Sequence, residues 1–205
     1  MNFITFQARL KDFIPFSLTD IRKIDARFDL RRLNEWQQKG YIRGIVKGYY
    51  IFSDLNLNEQ ALFEIANRIY APSYVSLEMA LSFYGIIPEG VYSVTSVSSR
   101  RTYTFNTKAA IFSYKKVRPD LFFGYSLVRH EARVYKFAEP EKAVLDYFYL
   151  NPRVNTREKI ESLRYNSAVF FKQINRRRFK SYARGFSSRA LSRRIGLLME
   201  VMESD

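Results

Sequence analysis

The sequence predicts an α+β protein, in which a small helical N-terminal unit closed by a β-hairpin precedes a larger domain with a mostly antiparallel sheet and C-terminal helices. Three observations lead there. Residues 2–39 repeat apolar side chains at helical spacing and run straight into two β-rich stretches around Lys47-Gly48. Residues 91–137 switch to a period of two, and beyond Glu139 the helical spacing returns. The chain has 205 residues, 47% of them hydrophobic and 17% aromatic, enough to bury one large core or two modest ones and too apolar for disorder.

A short amphipathic helix is expected over residues 2–11, with Phe3, Phe6 and Leu10 on one face. The IPFS stretch (14–17) is extended, and Ser17-Leu18-Thr19-Asp20 has the form of a helix cap with an acid in the first turn. A second helix follows through Ile21 and Ile24, then a tight turn at 25–27. A third helix runs from about Asp29 to Lys39 and stops at Gly40. Leu30, Leu33 and Trp36 form its inward stripe, leaving Arg31, Arg32, Asn34, Glu35 and Gln38 outward. YIRGIVKGYYIF (41–52) reads as a hairpin with glycine where a left-handed backbone is needed. Three short helices and a two-stranded ribbon over residues 1–55 describe a winged helix-turn-helix, whose third helix enters the DNA major groove while the wing lies along the backbone. The candidate DNA-binding residues are Arg27, Arg31, Arg32, Asn34, Gln38 and Lys39, with Arg43 and Lys47 on the wing. Guanidinium, ammonium and amide groups are the donors that reach phosphates and base edges.

Residues 56–72 read as a connecting helix, with Leu62, Ile65 and Ile69 on one face and Pro72 ending it. The second domain, residues 73–205, is expected to start with a helix in SYVSLEMALSFYG that stops at Gly85. VYSVTSV, RTYTF, AIFSYKKV, FFGYSLV and RVYKFA are the expected strands. Helices are expected near 139–150, 156–165, 168–183 and 187–202.

Charge is the strongest bulk signal of function. There are 34 basic and 20 acidic side chains, net +14, and the isoelectric point is near 10.0. Residues 151–205 alone carry 13 basic and 5 acidic groups. This balance favours a polyanion as partner, nucleic acid ahead of an anionic membrane surface, because no short segment is both basic and strongly amphipathic. No apolar run is long enough to span a bilayer, and MNFITFQARLKD lacks the basic-then-apolar order of a signal peptide. The absence of cysteine excludes disulfides, a thiolate nucleophile and a zinc–thiolate site. A cytoplasmic protein without a membrane partner is expected.

The stretch most suggestive of catalysis is AEPEKAVLDYFYL (138–150). A metal-dependent nuclease of the restriction-enzyme type needs an Asp and an E-x-K on adjacent strand positions. Glu139, Glu141, Lys142 and Asp146 instead offer E-x-E and E-x-x-K, and Pro140 suits the first turn of a helix rather than a central strand. Glu139 with Lys142, and Lys142 with Asp146, are therefore expected as ordinary surface pairs, with Val144, Tyr147 and Phe148 as the buried stripe. His130, the one histidine, supplies neither a metal triad nor a triad base. The hydroxyl-rich SVTSVSSRRTYTF (93–105), with Arg100-Arg101 at a bend, reads as a solvated strand end more than as a phosphate site. NRRRFK (175–180) and SRALSRR (188–194) lie on helices with apolar faces of Ile174, Phe179, Tyr182 and of Leu191, Ile195, Leu198. Arg176, Arg177, Arg178, Lys180, Arg193 and Arg194 are candidate secondary phosphate contacts, with solvated helix faces the alternative. No catalytic residue, metal site or cofactor is expected.

YVSLEMALSFYGIIPEGVYSVTSVSSRRTYTF, FSYKKVRPDLFFG and AEPEKAVLDYFYL together resemble the AbiEi-type antitoxins of type IV (abortive infection) toxin–antitoxin systems. The N-terminal segment through QKGYIRGIVKGYYIF resembles their winged helix, and FKSYARGFSSRALSRRIGLLMEVM resembles their last helices, so the likeness covers nearly the whole chain. It implies a DNA-binding repressor of its own operon, acting on double-stranded operator DNA with inverted repeats. It also implies a phage-defence antidote to a nucleotidyltransferase-like toxin, often without a stable complex with it. Two other readings stand beside this one: an antitoxin acting by direct contact with its toxin through the sheet domain, and a metal-dependent nuclease using Glu139, Glu141 and Asp146.

Overall fold

A computed structural model of the chain describes residues 1–130 and 133–204. The protein is α+β, with helices around mixed sheets. Its N-terminal unit comprises α1 (Phe3–Leu10), β1 (Phe16–Ser17), α2 (Leu18–Ile24), α3 (Arg31–Gln38), β2 (Ile42–Val46) and β3 (Tyr49–Phe52). Asn2 caps α1 by accepting from the Thr5 amide. Ser17 and Asp20 form a reciprocal capping box at the start of α2. The hairpin turns at Lys47-Gly48, where Gly48 takes φ +83°, a conformation that a β-carbon would strain. Phe6, Leu10, Phe16, Ile21, Phe28, Leu33, Trp36, Ile42 and Phe52 make the core of this unit. The IPFS stretch ends in a strand: β1 pairs antiparallel with β3, giving a three-stranded sheet in the order β1-β3-β2 rather than a two-stranded ribbon. At two residues, β1 is too short to show an alternation in sequence.

The larger part begins with α4 (Glu59–Ile69), followed by β4 (Ser73–Val75), α5 (Leu77–Phe83), β5 (Ser93–Ser98), β6 (Tyr103–Asn106) and β7 (Ile111–Lys116). A 3-10 turn at Pro119–Leu121 leads to β8 (Tyr125–His130) and β9 (Arg133–Ala138). Then come α6 (Pro140–Leu150), α7 (Arg157–Glu161), α8 (Ser167–Gln173), α9 (Arg176–Gly185) and α10 (Arg189–Ser204). The sheet runs β6-β7-β5-β4-β9-β8. Its β6–β7, β4–β5 and β8–β9 pairs are antiparallel, while β5–β7 and β4–β9 are parallel. The sheet is thus mixed where a mostly antiparallel one was expected. Two placements explain the difference. β6 lies at the sheet edge beyond β7, which leaves β5 and β7 side by side and parallel. β4 pairs parallel with β9, and its three buried residues show no alternation and run directly into α5, so that the whole stretch reads as helix.

Two further expectations are corrected. The segment 56–72 is more than a connector, because α4 lays Phe63, Ile65, Ala66 and Ile69 into the same core as the sheet. The helix expected over 168–183 is two helices, α8 and α9, divided at Ile174-Asn175. There Ile174 is buried, and the Asn175 side chain accepts from the Arg178 amide as a cap.

Sheet alternation places the layers. Tyr114 of β7 donates its hydroxyl to the Ala66 carbonyl of α4 at 2.8 Å, whereas its neighbours Ser113 and Lys115 line a cleft with residues of α5 and α6. Successive strand residues face opposite ways, so α4 covers one face and α5 with α6 the other. The N-terminal unit is tied to this body by Arg68 of α4, which reaches Asp20 at 2.9 Å and stacks over Phe13 at 5.6 Å. Burial works against the Asp20 charge, but the Ser17 hydrogen bonds and the Arg68 charge hold its carboxyl below the ordinary range. Among the described residues, no helix is long and apolar enough to cross a membrane.

Candidate nucleic-acid interface

Leu33 and Trp36 set the orientation of α3. They are 5% and 4% exposed, so the helix must present Arg31, Asn34, Glu35 and Gln38 to solvent. The Arg31 side chain is 91% exposed and pairs with Asp29 at 3.1 Å. Lys39 pairs with Glu35 at 2.6 Å. Hydrogen bonds from these cations hold the Asp29 and Glu35 carboxyls below their ordinary values. Exposed pairs of this kind are loosely held, so either cation can exchange its carboxylate for a phosphate. Arg27 is exposed in the turn before α3, Arg43 on β2 and Lys47 at the hairpin tip. The hairpin springs directly from α3, the Tyr41 amide donating to the Trp36 carbonyl at 2.9 Å.

Arg32 is placed differently from its neighbours. It is half-buried and donates to the Met1 carbonyl, tying α3 to the start of the chain. Adjacent helical residues point about 100° apart, so a pair of arginines in sequence does not share a face. Sequence reasoning passed over Arg22 and Lys23, two exposed cations in the last turn of α2. Their signal was legible, since basic residues gather where a helix ends.

The C-terminal candidates divide into three groups. Arg177, Lys180 and Arg193 are exposed, with no side-chain partner among the described residues. Arg176 and Arg178 are partly committed. Arg176 lies 3.3 Å from Glu203 and over the Phe171 ring, and Arg178 lies 3.4 Å from Glu139 and 3.3 Å from Glu141. Arg194 is only 7% exposed. It donates to the Ala190 and Asn151 carbonyls at 3.2 and 3.3 Å, so its expected phosphate contact gives way to a structural one that fastens α10 to the end of α6. Arg100 is also engaged, stacked on Tyr70 at 4.6 Å and donating to the Ala71 carbonyl.

The charges of α6 are corrected most. Lys142 and Asp146 are completely buried, not surface pairs, and they bond each other directly. Tyr74 and Ser76 each donate to Asp146 at 2.9 Å, and Lys142 donates to the Tyr74 oxygen at 2.8 Å. The Lys142 ammonium also sits 5.1 and 5.0 Å from the Phe123 and Phe186 rings. Burial pushes Lys142 down and Asp146 up, while each one's charge opposes the other's shift. Glu141, likewise fully buried, accepts from the Asn175 amide at 2.7 Å and pairs with Arg178. Glu139 accepts from the Tyr182 hydroxyl at 2.7 Å. The physical reason is the composition of α6, whose apolar residues surround the helix rather than line one side. Of the expected stripe, Val144 and Phe148 are buried and Tyr147 is half-buried. The His130 side chain and Glu131 lie outside the described residues.

No family model matches the chain, and no curated protein matches it.

Proposed function

We propose that the protein is a DNA-binding transcriptional autorepressor whose N-terminal unit is a winged helix-turn-helix, and that it serves as the antitoxin of a type IV toxin–antitoxin system. One observation carries the DNA-binding half. A helix anchored by Leu33 and Trp36 offers Arg31, Asn34 and Gln38 to solvent, and a hairpin bearing exposed Arg43 and Lys47 follows directly. That is the set of donors and the element order by which a recognition helix and wing engage a duplex. The net charge of +14 supports it. Arg27 and Lys39 supplement these contacts, and Arg177, Lys180 and Arg193 add phosphate contacts that carry affinity without sequence preference.

The antidote half rests on the resemblance of the central and C-terminal strings to AbiEi-type antitoxins. In this reading the cytoplasmic protein counteracts a nucleotidyltransferase-like toxin without a tight complex. The nuclease reading is disfavoured because Asp146 and Glu141 are occupied by Lys142, Tyr74, Ser76, Asn175 and Arg178 inside the protein.

The experiment is a titration of the duplex upstream of the protein's own gene at several salt concentrations. A steep fall of affinity with salt and preference over unrelated duplex are expected. Equal binding to both duplexes would remove the operator. Co-expression with a neighbouring nucleotidyltransferase gene tests the other half: growth is expected to be restored, and failure to restore it would remove the antitoxin assignment.

A further inference from the structure

A cleft of about 700 Å³ opens on the sheet face covered by α5 and α6, with no lining residue from the N-terminal unit. Its floor is built from two strands in register, Thr95 of β5 beside Ser113 of β7, with Lys115 two residues further along. That step is about 7 Å. Tyr147 of α6, Tyr165 after α7 and aliphatic side chains of α5 and the following loop form the walls, and Tyr92, 96% exposed, stands at the mouth.

Polar groups gather here without satisfying one another. Tyr165 is 6% exposed, and its hydroxyl finds no protein partner. Leaving such a group unmet costs about 1–3 kcal/mol. Glu78, half-buried in the first turn of α5, makes no hydrogen bond or ion pair among the described residues, and neither do the Tyr147 hydroxyl or the exposed Lys115 ammonium. Burial raises the pKa of both tyrosines, and the Glu78 charge adds to the rise in each. The cleft thus offers the half-buried Glu78 carboxylate and the unmet Tyr165 hydroxyl, aromatic and aliphatic walls, and one lining cation, Lys115, while its other carboxylate, the exposed Glu89, pairs with Arg164 at 3.6 Å.

We propose that this cleft binds a mononucleotide, with the donor edge of the base at Glu78 and Tyr165, the ring between the apolar walls and the phosphate at Lys115. A purely apolar ligand would bury Glu78 and Tyr165 unmet. The volume lies within the usual range of small-molecule sites, about 300–1,000 Å³. The proposal is independent of the DNA-binding reading.

Calorimetric titration with AMP, GMP, CMP and UMP, each beside its nucleoside, tests it. One base is expected to bind best, with the nucleotide roughly tenfold tighter than the nucleoside, the worth of one charge-assisted contact. Lys115→Ala should abolish that tenfold advantage, and Glu78→Gln should weaken nucleotide and nucleoside alike. Tyr92→Ala, on a side chain that supports nothing in the core, should also weaken binding and serves where Glu78→Gln does not fold. Absence of binding by all four monophosphates would overturn the proposal. So would binding unchanged by Lys115→Ala and Tyr92→Ala, which would locate the nucleotide on the basic surface instead.

Discussion

Two short helices carry dense charge, and they use it in opposite ways. α3, RRLNEWQQ, buries only Leu33 and Trp36 and turns Arg31, Asn34, Glu35 and Gln38 outward. α6, PEKAVLDYFYL, is also charged in every turn of its first half, yet Glu141, Lys142 and Asp146 are all inside. The difference lies in the apolar residues between the charges. A single stripe leaves a helix half in water, whereas apolar residues on all sides draw the whole helix inward together with whatever ions it carries. Those ions must then be paired and hydrogen-bonded, and Tyr74, Ser76, Asn175 and Arg178 complete the pairing. Charge in α3 is available to a partner; charge in α6 is consumed by the fold.

The sharpest way to break this contrast is Lys142→Met. It leaves Asp146 buried without its cation and should lower unfolding stability by about 3–5 kcal/mol. Adding Asp146→Leu should recover most of that loss in urea unfolding, because the pair itself is nearly neutral against apolar replacement. If the double variant is as unstable as the single one, the loss does not come from leaving the Asp146 carboxylate unpaired.

Gly124→Ala probes the same ion from outside. Gly124 has φ +72°, and a β-carbon there would meet the Lys142 side chain at 2.9 Å. A loss of about 1–3 kcal/mol is expected from overpacking and backbone strain. An unaffected melting temperature would contradict both the close approach of the Lys142 stem and the strain of the positive φ.

Glu64 of α4 is intermediate between the two helices. Burial lifts its carboxyl from 4.5 to about 7, opposed by Arg133 at 3.7 Å and by Arg68. Between those two values the folded protein keeps a proton that the unfolded chain releases. Stability should therefore fall as pH rises through that window and level off above it. Glu64→Gln should flatten this slope in melting curves at matched ionic strength. A slope unchanged by the substitution would assign it to another group.

The smallest effect separates two neighbours. Arg193→Ala should leave melting unchanged and reduce the salt dependence of duplex binding by about one unit of slope. Arg194→Ala should destabilise the protein and leave that slope alone. The reverse pattern would interchange their roles.

How much was legible follows from the same physics. The N-terminal helices and hairpin were readable because caps, glycines and one apolar stripe agreed: Ser17 with Asp20, Gly40, Gly48, and Leu33 with Trp36. β4 was not, because three buried residues between two helices carry no period. Nor were the α6 ion pairs, since an i, i+4 Lys–Asp spacing looks the same on a surface and in a core. The clue was available in the apolar residues that encircle that helix. For the candidate interface, residue types and helical face were readable. The engagement of Arg32 with Met1 and of Arg194 with Asn151 was not, because both contacts join residues far apart in sequence.

The most direct measurement is fluorescence anisotropy of the upstream duplex with three proteins at about 0.1 M salt: wild type, Arg31→Ala/Gln38→Ala, and Lys142→Met/Asp146→Leu. The α3 variant should melt like wild type yet bind at least about tenfold more weakly, while the α6 variant, if folded, should bind like wild type. An α3 variant that binds as tightly as wild type would contradict the assignment of that face to DNA.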